Sequence, residues 1–385
     1  MKKALAPSRT RSTTSARRRA AVLGGSALLL PVLLAACGGE EETAAASEDC
    51  GSTEKVTIMM GTSDMDISYA PYASLADELG YFAEECLDVT VTTTGGSTTT
   101  PQAVMGGVAD IAIQTPDSLI AAAETDRLPI KIFYNLLPRS SYEIVTAPGS
   151  SIKSDADLDG KVVGFPQVSD SNVGYLSTRM KEAGVDPASV KQVSTGYGAT
   201  SAESLKKGEI DAFVGWPGLW ASFENAGYEI DVLPAPAWQN DFYGIGLGAT
   251  DEYIAENPDV IEGVSRAVAR STVFLKENPD AAVELFWEEY PQRAPLPGDD
   301  EDEAFEQTRK VLQATIDTMR LEDFELDNTW GAQSEELWAG QVAYNLAAGL
   351  ISQELDPTQF FTDEFNEAAN DFDRAEVVDQ AKEGA

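Results

Sequence analysis

Histidine is missing altogether from the 385 residues. That removes the commonest general base, the commonest metal ligand and every triad that passes a proton through imidazole. Carboxylate-only chemistry stays open, but the reading is of a protein that is not an enzyme and needs neither cofactor nor metal. Basic residues are also sparse: 27 Lys and Arg face 64 Asp and Glu, a net charge of −37. Binding of nucleic acid needs clustered cations to displace counterions, so that class is excluded. Cysteine occurs only three times, at Cys37, Cys50 and Cys86. Long apolar runs are absent as well, for Ala20 to Ala36 is interrupted by Gly24, Gly25 and Pro31. It is too short and too broken to span a bilayer as a stable helix.

That run nevertheless has a meaning. It follows Lys2, Lys3, Arg9, Arg11, Arg17, Arg18 and Arg19, with no acid among them, and ends in Leu34-Ala35-Ala36-Cys37. Residues 1–36 read as a signal peptide, and the terminus resembles a bacterial lipobox, with Cys37 as the acylation point. The Arg run leaves a twin-arginine route open beside the general one. Cleavage takes the basic count from 27 to 20 against 64 acids, about −44, an acidic surface suited to solubility, self-repulsion and a monomer. Residues 37–53 are small, polar and acidic, a flexible tether. Outside the cytoplasm, Cys50 and Cys86 most simply form one disulfide; two buried free thiols are the alternative.

From residue 55 the pattern alternates strand and helix, which implies a mostly parallel sheet covered by helices. The length exceeds one ordinary core and suggests two lobes. Strands are expected at Lys55–Met60, Leu87–Thr93, Asp110–Gln114 and Ile130–Tyr134. A helix is expected from about Ala70 to Leu79. A second set runs from Glu143 to Val214, and the Gly-rich Phe242–Ala249 reads as a return crossing. Helices follow at Pro258–Lys276, Asp280–Glu289, Ala304–Met319, Glu335–Leu350 and Thr362–Ala369, with a frayed end. The expected division is 55–140 for the first lobe, 141–245 for the second, and 246–385 for the return and a helical tail packed on the first lobe.

Certain signatures stand in a fixed order. They are Leu79-Gly80-Tyr81-Phe82, Gly95-Gly96-Ser97, Val108-Ala109-Asp110-Ile111-Ala112, Leu158-Asp159-Gly160-Lys161-Val162-Val163-Gly164, Ala183-Gly184-Val185-Asp186-Pro187 and Lys207-Gly208-Glu209-Ile210-Asp211-Ala212. Together, over residues 55 to about 290, they resemble the ABC-transporter solute-binding proteins of the nitrate, sulfonate and taurine branch, which includes binders of a thiamine pyrimidine precursor. Asp159 departs from the usual Lys. The resemblance implies an α/β two-lobe type II periplasmic-binding-protein fold with two hinge crossings, its ligand in the cleft. It also implies a partner permease and its ATPase.

Ligands of open α/β sheets sit beyond the carboxyl ends of the strands. That rule selects Asp64, Asp66 and Tyr69 after the first strand, Gly96 and Ser97 after the second, and Gln114 and Thr115 after the third. In the second lobe it selects Phe165, Ser169, Ser171 and Asn172, then Tyr197 and Trp216 on Gly- and Pro-flanked loops. Tyr243 is a further possible wall. For the short polar residues helix capping is the plain alternative; for Trp220, core. Arg139, at the first crossing, reads equally as an anion clamp or a hinge salt bridge.

The expectation is an importer's solute-binding lipoprotein on the outer face of the cell membrane. Its cargo is a small planar or anionic organic solute, of sulfonate, aromatic carboxylate or pyrimidine type. A sensor or surface interaction protein of the same fold is the alternative. Eukaryotic thiamine-pyrimidine synthases share the fold but resemble Cys- and His-dependent chemistry, which this chain does not carry.

Overall fold

The computed structural model describes residues 50–125, 128–240, 243–321 and 329–384. The leader, Cys37 and most of the tether lie outside them.

Two five-stranded sheets organise the described residues. The first holds β1 (Glu54–Met60), β2 (Leu87–Thr93), β3 (Ile111–Gln114), β4 (Ile130–Asn135) and, returning late, β10 (Gly246–Thr250), in the order β2-β1-β3-β10-β4. The second holds β5 (Glu143–Thr146), β6 (Val162–Phe165), β7 (Lys191–Ser194), β8 (Ala212–Gly215) and β9 (Asp231–Val232), in the order β7-β6-β8-β5-β9. In each, three strands pair in parallel, β2-β1-β3 and β7-β6-β8, and the strand that crosses from the other lobe, β10 or β5, runs antiparallel to its neighbours. The chain therefore changes lobe twice, after β4 and before β10, as the two-crossing fold requires.

The return strand depends on glycine. A side chain at Gly246 would stand 2.6 Å from the Tyr134 carbonyl, and one at Gly248 2.9 Å from Gln114 Cγ. Only bare backbone lets β10 lie flush between β3 and β4.

Helices cover the sheets: α1 (Ser74–Glu78), α2 (Tyr81–Glu84), α3 (Thr100–Met105), α4 (Pro116–Thr125), α5 (Asn172–Glu182), α6 (Ala199–Lys207), α7 (Pro217–Asn225), α8 (Asp251–Glu256), α9 (Pro258–Glu277), α10 (Pro279–Glu289), α11 (Glu301–Met319), α12 (Glu335–Ala348), α13 (Asn366–Ala369) and α14 (Arg374–Glu383). The single helix expected over Ala70–Leu79 is instead a 3-10 turn, Ile67–Tyr72, followed by α1, because Pro71 cannot donate to a continuous ladder. The frayed end expected at the C-terminus is a helix. Asp373 caps α14, Val377 and Ala381 are buried, and Tyr81 donates to Gln380 at 2.7 Å. The tail also does more than pack on the first lobe: α11 lies against α7, and α12 against α5.

Candidate ligand chamber between the lobes

Short polar side chains close the seam between the lobes. Ser169 Oγ donates to the Gly95 carbonyl at 2.7 Å, and Thr98 Oγ1 donates to the Ser169 carbonyl at 2.6 Å. The Ser171 amide donates to Ser97 Oγ at 3.1 Å, and Gln167 Nε2 donates to Ser63 Oγ at 3.0 Å. Gly96, at φ 138°, permits this approach, since any Cβ there would stand 2.5 Å from Ser169 Oγ.

Behind the seam lies a chamber of about 720 Å³, counting its mouth. Its walls are aromatic: Tyr69, Tyr72, Tyr142, Tyr197 and Trp216. Trp216 stands between Tyr69 and Tyr197, with ring centroids 6.4 and 6.2 Å away, both edge-on. Pro217 and Gly218 open α7 directly behind it, so the indole projects from an extended residue at a helix start instead of joining the helix's buried face. Met60, Ile113, Leu137 and Ile245 complete the apolar surface, and Ser68, Ser97, Thr115, Ser141, Asp170 and Asn172 supply polar groups.

Two features set its electrostatics. No Lys or Arg is among these lining residues, and burial pushes the Asp170 carboxyl up to about 7. Burial likewise raises the hydroxyls of Tyr69, Tyr142 and Tyr197, which stay neutral donors. Asn172 is fully buried; its Nδ2 donates to the Val214 carbonyl at 3.4 Å, which leaves Oδ1 as a buried acceptor without a partner among the described residues. An aromatic, cation-free wall suits an uncharged planar ligand.

The structure thus brings Tyr69, Ser97, Thr115, Asn172, Tyr197 and Trp216 to one chamber. Gly96, Ser169 and Ser171 lie in the seam beside it. Other candidates stand elsewhere. Phe165 is fully buried in the second lobe's core with Tyr175 and Leu176, because β6 turns that face inward. Tyr243 packs on Trp338 and accepts from the Ser334 amide at 2.6 Å. Gln114 is fully buried and accepts from Thr100 at 2.9 Å. Arg139 neither lines the chamber nor salt-bridges a carboxylate among the described residues; it donates to the Pro138 carbonyl at 3.0 Å. Asp64 pairs with Arg293, and Asp66 caps the 3-10 turn through Ser68 at 2.8 Å. Both line a second cavity, which shares Tyr197 with the first. Tyr72, Tyr142 and Asp170 escape the sequence reading. Tyr72's spacing of three from Tyr69, and Asp170's place between Ser169 and Ser171, are the signals that point to them.

A family model described as "NMT1/THI5 like" matches residues 69–282. The chain belongs to the NMT1/THI5-like family. Among NMT1/THI5-like relatives and other similar proteins is the riboflavin-binding protein RibY of Chloroflexus aurantiacus, 25% identical, with 81% of this chain and 86% of that one covered. A formylaminopyrimidine-binding protein of Halalkalibacterium halodurans is 26% identical over 70% of this chain and 78% of its own. A 4-amino-5-hydroxymethyl-2-methylpyrimidine phosphate synthase of Legionella pneumophila is 22% identical over 76% and 86%. The solved alkanesulfonate-binding protein SsuA of Xanthomonas axonopodis pv. citri shares the fold, with a TM-score of 0.61, 13% identity, and 82% of this chain and all of that chain covered. The two-lobe periplasmic-binding fold expected of this NMT1/THI5-like chain is therefore the one observed.

The buried carboxyls of this family member make its stability pH-dependent. Burial raises Asp77 and Asp117 to about 6, Asp170 to about 7 and Glu78 to about 8. For each, the folded chain holds its proton to higher pH than the unfolded chain does. No penalty exists below pH 4; it grows as pH rises through the folded values and levels off above about 8. The melting temperature should therefore fall between pH 5 and pH 8. Asp170→Asn and Glu78→Gln should each flatten that fall, as scanning fluorimetry would record. A melting temperature that climbed over the same interval would contradict this account.

Proposed function

We propose that this chain is the extracytoplasmic solute-binding component of an ABC importer, tethered through Cys37, and that it captures a neutral or weakly basic planar N-heterocycle. The observation that carries the reading is the chamber itself: five aromatic rings and no Lys or Arg among its lining residues. Aromatic side chains pack flat ligands well. A sulfonate or carboxylate, in contrast, would be desolvated with no cation to meet it, at heavy cost. The names of relatives that bind riboflavin and formylaminopyrimidine agree in chemistry.

Capture without turnover is part of the proposal, although some relatives are named as synthases. The chain has no imidazole, and its two described cysteines are joined to each other. The test is a thermal-shift panel on the purified protein with 4-amino-2-methylpyrimidine, lumichrome and riboflavin, set against ethanesulfonate and benzoate. A heterocycle at a hundred times its Kd should add about 2.7 kcal/mol of stability and be recovered unaltered. Shifts from the anions alone would overturn the assignment.

A further inference from the structure

The C-terminal helices are rooted in the first lobe and reach the second at two separate places. Val311, Leu312 and Met319 of α11 lie in the first lobe's core, and Arg309 Nε donates to Asp280 of α10 at 2.6 Å. From that footing α11 meets α7 of the second lobe. Lys310 Nζ is 2.7 Å from Glu224, and Asn225 Nδ2 donates to the Gln307 carbonyl at 2.8 Å. The fit is close: a side chain at Gly218 would come within 2.9 Å of Thr315 Oγ1.

The second footing is α12. Trp338 and Val342 pack with Ile130 and Ile132 of β4, and Asn345 Nδ2 donates to the Asp117 carbonyl at 2.9 Å. It meets the second lobe through Tyr344, whose ring lies 5.2 Å from that of Trp238, itself packed on Tyr175 of α5. The Lys181 ammonium of α5 donates to the Ala348 carbonyl.

Both helices gripped in this way begin at the chamber: Trp216 precedes α7, and Asn172 opens α5. A hinge motion that parts the lobes carries α11 and α12 with the first and must loosen their contacts with α7, α5 and Trp238. We propose that the two C-terminal helices form a clasp that holds the lobes shut, so that the empty protein already populates its closed form. Contacts of this kind need no solute, and by raising the binding-competent fraction they tighten apparent affinity for whatever the chamber accepts.

The test is a distance measurement between spin labels on keto side chains introduced at Val108 and Val232, which are exposed and lie on opposite lobes. This chemistry leaves the native cysteines alone. The unliganded protein should show a substantial short-distance population. Lys310→Glu, which sets like charges together at a half-exposed pair, should lower the closed-to-open ratio about fivefold. Adding Tyr344→Ala should lower it further, and Glu224→Lys in the Lys310→Glu background should restore it. An unliganded protein that is wholly open, or one whose distance distribution ignores Lys310→Glu and Tyr344→Ala, would overturn the clasp. No solute enters the measurement, so its failure and a failure of the proposed cargo remain distinguishable.

Discussion

Replacing Trp216 with alanine is expected to weaken solute capture by roughly 30- to 1,000-fold, the range spanned when a central aromatic anchor is truncated. The indole stands between Tyr69 and Tyr197 and lines the chamber from the second lobe, while Tyr69 lines it from the first. Its removal therefore takes away a packing face and one of the surfaces that a bound ring would use to draw the lobes together. The fold should tolerate the change, because Trp216 is only partly buried and its backbone, already extended before Pro217, suits alanine. Trp216→Phe keeps an aromatic face and should recover much of the loss. Calorimetric titration with the best heterocycle of the panel gives the affinities, and a circular-dichroism melt confirms folding. Equal affinity in Trp216→Ala and the parent would remove this residue from the site.

The order of strands and helices was legible because buried parallel strands such as Lys55–Met60 read as apolar runs between turn residues. The placement of ligand-facing loops followed from a rule about strand ends, which is why Tyr69, Ser97, Asn172, Tyr197 and Trp216 converge in space as well as in argument. What the rule lacks is the direction of a side chain. Phe165 stands at a strand end as Trp216 does, yet the pleat of β6 turns its ring into the core. Arg139 stands out in a chain short of cations, but the neighbouring Pro138 carbonyl occupies it. Tyr142 lies in the crossing after β4, where no periodicity announces a wall. The reach of α11 and α12 onto the second lobe depends on the relative placement of helices distant in sequence, and local pattern carries no information about that. The charge of the chain misleads too: −37 overall says little about a chamber whose carboxyl, Asp170, burial pushes up to about 7.

Opening the Cys50–Cys86 disulfide should cost about 3–4 kcal/mol of stability, from the loop entropy of the 36 residues it closes. The replacement chosen for Cys86 should matter. That residue sits at φ 60°, in the left-handed region, where a side chain is disfavoured by about 1–2 kcal/mol. Cys50→Ala with Cys86→Gly should therefore lose less than Cys50→Ala with Cys86→Ala, since glycine relieves the backbone strain that the crosslinked cysteine tolerates. The Cys86 carbonyl still accepts from the Glu54 amide in either case, at 3.0 Å, so the register of β1 on β2 survives. Denaturant midpoints of the three proteins measure both differences; an alanine pair as stable as the glycine pair would show that the turn carries no strain. Solute affinity should not move. The crosslink joins the starts of β1 and β2, whereas Met60, Gly61 and Ser97 line the chamber beyond their far ends. A loss of affinity in the disulfide-free protein well below its melting temperature would mean that the first sheet transmits strain along its strands, and the chamber could then no longer be treated as independent of the staple.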